Sequence, residues 1–195
     1  MRKSEATRKA AVTAYHEAGH AFADFRFGFK IKEVSIIPND TSTGRAVSKT
    51  RLHFRSLEYS APTGRRIGRL HELVVSLLAG EAAQRHFQPR SIRFHQARYD
   101  REAIYEVLSR LHAENELPHV IRYLDAKAKN LIEDPRHWPV IEHLASELIN
   151  RKILTGEDAE AAIREGYRRY HLRSVGRDIQ GGTLLVSQST QATDT

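Results

Sequence analysis

Tyr15-His16-Glu17-Ala18-Gly19-His20-Ala21 places the pattern HExxH inside an apolar sequence of helical period, and this limits the chain more than any other stretch. Histidines four residues apart differ in direction by only about 40° on an α-helix and lie one turn above the other. Two such imidazoles can grip one ion. Zn²⁺ suits them, because it takes imidazole nitrogen at about 2.0–2.1 Å and in catalytic sites uses three protein ligands plus a water. Glu17 then stands where a carboxylate can take a proton from that water. The ion lowers the water's pKa towards about 7, and the hydroxide can attack a peptide carbonyl polarised by the same metal.

The pattern needs support from its surroundings. With 11 His and 16 Glu among 195 residues, a shuffled chain of this composition would contain about 0.05 such matches. The surroundings are helical: Ser4 is an N-cap candidate, and Ala11, Val12, Tyr15, Ala18, Phe22 and Phe25 recur at steps of three and four up to Phe27. Gly28 ends this helix, so the motif falls in its middle. Gly19 costs a helix about 1 kcal/mol relative to Ala, which points to a packing or site requirement. With Ala18 and Ala21 it would let another segment approach closely.

Beyond the first helix, Ile31 to Ile37 is rich in β-branched residues and stops at Pro38-Asn39-Asp40. It reads as a strand, with Arg45 to Thr50 as a hairpin partner. Residues Arg51 to Gly64 have no clear period. From Arg66 to Phe87 an apolar pattern marks a buried helix, with Ala79-Gly80 as a point of backbone contact. Pro89 to Gln96 reads as a connection, in which Phe94 and His95 are expected as loop-to-core contacts rather than as lining of the cleft. Further helices are expected from Arg98 to Glu114, after Pro118, from His137 to Asn150, and from a capping box at Thr155-Gly156-Glu157-Asp158 through Tyr167. The fold class is therefore mainly α with a small β-hairpin or sheet. One domain over 1–173 is followed by a Gly-, Ser-, Thr- and Gln-rich segment, 174–195, whose composition predicts a disordered tail.

Composition narrows the setting. Leu73 to Gly80 is the longest apolar run and falls far short of the roughly 20 residues of a membrane helix. The charged, Ala-rich start lacks the apolar core of a signal peptide, so a cytoplasmic location is expected. The absence of Cys excludes thiolate ligands and leaves His, Asp and Glu. The net charge of +7 would favour anionic partners, but the basic residues are interleaved with acidic ones. Even Arg164 to Arg173 reads as the solvated end of a helix, and nucleic-acid binding is not expected.

Two His require a third ligand. A further His six residues after the second would be at position 26, which is Arg26. The ligand must come from another element, and spacing leaves Asp100, Glu102, Glu106 and Asp125 open.

Thr13 to Ala21 resembles the zinc-site helix of the peptidase domain in the FtsH family of ATP-dependent zinc metalloproteases. The similarity continues in order through Val34-Ser35-Ile36-Ile37-Pro38, Gly44 and its following strand, Leu78-Ala79-Gly80-Glu81-Ala82-Ala83, Asp100-Arg101-Glu102-Ala103, and Leu144 to Glu157. The resemblance implies a zincin-like metallopeptidase domain with His16, His20 and Asp100 as Zn²⁺ ligands and Glu17 as catalytic base. It implies peptides or unfolded protein segments as substrates, laid as an added strand beside Arg45 to Lys49. A homo-oligomer and a separate ATPase partner follow from the same resemblance. The departures are definite: there is no membrane span, no GxxxxGK[ST] phosphate loop, and Gln84 stands where that family usually has Glu. The competing reading is a catalytically silent zincin-like scaffold for a protein or nucleic-acid partner. Against it, a scaffold has no need of Glu17.

Overall fold

The computed structural model describes residues 2–38, 44–48, 63–91 and 98–189. The chain runs α1 (Arg2–Arg26), β1 (Ile31–Ser35), β2 (Arg45–Ser48), α2 (Gly64–Phe87), α3 (Arg98–Leu108), α4 (Leu117–Glu133), α5 (Trp138–Arg151), β3 (Ile153–Thr155) and α6 (Gly156–Ser189). It is a mainly helical fold with one small sheet. None of its described helices is long and apolar enough to cross a membrane.

The core forms around α1, whose Ala14, Ala18, Ala21, Phe22 and Ala23 are all inaccessible to solvent. One side meets α2, the other α5. Small residues let α1 and α2 approach almost backbone to backbone. A Cβ on Gly19 would sit 2.5 Å from the Ala79 carbonyl oxygen and 2.7 Å from the Ala83 methyl. The two helices are antiparallel, since His16 meets Gln84 while His20 meets Ser76. Leu124, Ala128 and Ile132 of α4 and Val140, Ile141, Leu144 and Leu148 of α5 complete the apolar interior, which supplies the main driving force for the fold.

The expected hairpin is present, with β1 and β2 antiparallel and Val34 opposite Ala46. A third strand was not expected: β3 pairs with the other edge of β1, Val34 opposite Leu154, so the sheet order is β2-β1-β3. Three residues are too few to show a period in sequence, and β3 owes its extended form to the pairing it finds on β1. The capping box directly after it is formed. Thr155 Oγ1 accepts from the Asp158 amide at 3.1 Å, and Asp158 accepts from the Thr155 amide at 3.2 Å.

Helix α3 ends at Leu108, six residues before its expected end, whereas the backbone of α6 remains helical through Ser189. That helix crosses the boundary placed at 173. Residues 190–195, most of 51–64, and Phe94 and His95 lie outside the described residues.

Candidate metal centre

The ring of His20 is pressed into α2. A Cβ on Gly80 would lie 2.6 Å from His20 Cε1, so glycine there makes room for the imidazole. His20 Nδ1 donates to the backbone carbonyl of Ser76 at 2.8 Å. One turn earlier on α1, His16 Nδ1 faces the side-chain oxygen of Gln84 at 3.0 Å. Ser76, Gly80 and Gln84 recur every four residues and form one stripe of α2 turned to the two histidines. Ser76 is itself tied to α1, since its hydroxyl donates to the buried carboxylate of Asp24.

These outer contacts decide where the ring protons sit. Both Nδ1 atoms meet carbonyl-type oxygens, which only accept, so in the neutral imidazoles Nδ1 carries the hydrogen and Nε2 a bare lone pair. The two Nε2 atoms are 3.1 Å apart, and each is 3.3 Å from Oδ2 of Asp100. Three acceptors facing one another repel unless a proton or a cation lies among them. A tetrahedral ion with bonds of about 2.0–2.1 Å keeps its ligand atoms about 3.3–3.4 Å apart. The donor set fits Zn²⁺ in both chemistry and spacing.

Asp100 reaches this point from the first turn of α3. Ile104, Val107 and Leu108 are buried, and Asp100, four residues before Ile104, lies on the same face. Its neighbour Arg101 bonds Glu81 of α2 at 3.2 Å, fastening the two helices beside the site. Of the other carboxylates open in sequence, Asp125 pairs with Arg85 at 2.7 Å, Glu106 pairs with Arg110 at 3.0 Å, and Glu102 is exposed. Only Asp100 converges with the His pair among the described residues.

The electrostatics match this geometry. Burial pushes the His16 pKa down, but the hydrogen bond to Asp100 and the charges of Glu17 and Asp100 outweigh it and lift the group to about 8. Burial would raise Asp100, yet the facing His20 and His16 hold its carboxyl well below the usual range. Glu17 is 5% exposed. A Cβ on Gly44 would stand 2.9 Å from Glu17 Oε1, so the residue that leads into β2 lies directly against this carboxylate.

Sequence reasoning singled out all four residues gathered here, and it named Gln84 only as a departure. The contacts of Ser76 and Gln84 with the histidines went unforeseen, although Ser76, Gly80 and Gln84 recur every four residues in the sequence of the helix. On the surface, Arg164 pairs with Glu160, and Arg168 and Arg169 pair with Glu165. No protein-family model matches the chain, and no curated protein matches it.

Proposed function

We propose that this chain is a zinc-dependent endopeptidase with a zincin-like domain resembling the FtsH peptidase, acting without ATP on peptides or unfolded segments. One observation carries the reading. Three lone-pair atoms, His16 Nε2, His20 Nε2 and Asp100 Oδ2, meet at 3.1 to 3.3 Å, with the outer nitrogen of each ring already committed.

His16, His20 and Asp100 would hold the ion, which when bound supplies Lewis acidity toward a water and the scissile carbonyl. Glu17 takes the water's proton and delivers it to the leaving amine. β2 is an edge strand, and Gly44 sets its start beside Glu17. An extended substrate pairing with β2 would thus pass the carboxylate, with main-chain hydrogen bonds giving little sequence preference. A homo-oligomer and a separate ATPase partner belong to this proposal through the family resemblance alone, and a cytoplasmic location through the lack of a signal-peptide pattern.

The test is cleavage of an unstructured fluorogenic peptide by zinc-loaded protein. Glu17→Gln should lower kcat by about 10²–10⁴ at unchanged zinc content. Equal rates in the two proteins, or no cleavage by the zinc-loaded wild type, would leave the non-catalytic scaffold as the better reading.

A further inference from the structure

The two histidines are held from outside in different ways. His20 is fixed by a backbone carbonyl, that of Ser76, which no side-chain substitution removes. His16 is fixed by a side chain, that of Gln84, which is 4% exposed. An amide can turn either its oxygen or its NH₂ to the ring, so something must choose.

Ser91 makes the choice. Its Oγ lies 2.7 Å from the Gln88 carbonyl, an acceptor only, and the single hydroxyl hydrogen is used there. Toward Gln84 Nε2, at 3.2 Å, Ser91 Oγ can only accept. The NH₂ group of Gln84 therefore faces Ser91, and its Oε1 faces His16. A flipped amide would set NH₂ against the Nδ1 hydrogen and a carbonyl against a hydroxyl with no hydrogen left to give, losing both bonds. Gln88 caps α2, with its amide bonded to the Gln84 carbonyl at 2.9 Å, and the Ser91 amide bonds the Gln88 carbonyl at 2.9 Å. The turn after α2 is thereby wired to one ligand.

We propose that Gln84 is a positioning residue of the metal centre, an uncharged amide locked by Ser91 that fixes His16 as the Nδ1–H tautomer and aims its Nε2 lone pair inward. This rests on the zinc reading above and adds a means of tuning it. A carboxylate at position 84 would place a negative charge beside the ring and strengthen Nε2 as a donor. The amide keeps the direction and withholds the charge. Bound zinc with two neutral imidazoles and one carboxylate then stays more electron-poor than it would with an outer Glu.

The experiment is a zinc titration of the full chain against a chromophoric chelator at fixed pH, with thermal unfolding of the zinc-free proteins as a packing control. Gln84→Leu should weaken zinc by about tenfold to hundredfold. Ser91→Ala, which frees the amide to turn, should weaken it several-fold while leaving the core untouched. Gln84→Glu should bind zinc at least as tightly as the wild type. In zinc-loaded wild type, ¹⁵N NMR should find the His16 ring hydrogen on Nδ1 and protected from exchange; in Gln84→Leu it should exchange faster. Wild-type zinc affinity in Gln84→Leu, or equal weakening in Gln84→Leu and Gln84→Glu, would overturn the positioning role while leaving zinc binding intact. A wild type that binds no zinc would overturn both readings.

Discussion

The Ser76 carbonyl accepts a hydrogen bond from His20 Nδ1 at 2.8 Å across the close contact between α1 and α2. The same helix surface thus packs the core and orients a ligand. If the site holds zinc as proposed, binding and stability are coupled through that contact, and substitutions on α2 should report on both.

Gly80→Ala tests the coupling. A methyl there would overlap the His20 ring, 2.6 Å from Cε1 and 2.7 Å from Cδ2. Overpacking of this kind costs about 1–3 kcal/mol. Denaturant unfolding should show that loss, and zinc affinity should fall in the same variant because the displaced ring can no longer aim Nε2 inward.

Gly44→Ala should separate catalysis from metal binding. Its Cβ would press on Glu17 Oε1 and Thr13 Cγ2, at 2.9 and 2.5 Å. Zinc stoichiometry should stay at the wild-type value. Misplacing a reacting group by about 1 Å can cost about 10²-fold in rate, so peptide turnover should fall steeply.

Chelation should make stability depend on pH around His16. In the ion-free site its pKa is lifted to about 8. A raised histidine pKa stabilises fully below the unfolded value of about 6.5, and the stabilisation is lost as pH rises through the folded value. The metal-free protein should therefore lose on the order of 2 kcal/mol between pH 6 and 9. With zinc in place of the proton, the slope should flatten or reverse, and binding near neutral pH should release a proton. Melting curves with and without chelator across this range would show it.

Thr155→Ala removes the hydroxyl that accepts the Asp158 amide. Loss of such a cap costs about 0.5–2 kcal/mol, read as a lower Tm, with zinc affinity unchanged. Bonds from the Thr155 side chain, Arg151 and the Thr155 amide hold the Asp158 carboxyl below its usual value. A depressed carboxylate stabilises above its unfolded pKa and ceases to as pH falls through its folded pKa, so the variant should approach wild type in acid.

Local pattern revealed what local forces determine. The helical period of Ala11 to Phe25, the β-branched run at Ile31 and the Thr155–Asp158 cap all form as their sequences indicate. His16 and His20 were legible because one helix carries both. Asp100 was not legible by spacing, because its place depends on how α3 docks on α2 through Arg101, Ile104 and Glu81. β3 was hidden because its reason lies on β1, more than a hundred residues earlier. The roles of Ser76 and Gln84 depend on the register between two antiparallel helices, which no single helix encodes. The recurrence of Ser76, Gly80 and Gln84 every four residues was the available sign.

Metal stoichiometry of the wild type beside Asp100→Ala tests the central claim most directly. Native mass spectrometry with elemental analysis after zinc saturation should find one zinc per wild-type chain. Asp100→Ala should retain its fold and hold the metal far more weakly, since only the two imidazoles remain. A wild type that stays zinc-free at saturation, or an Asp100→Ala protein that holds zinc as tightly as the wild type, would contradict the three-ligand centre.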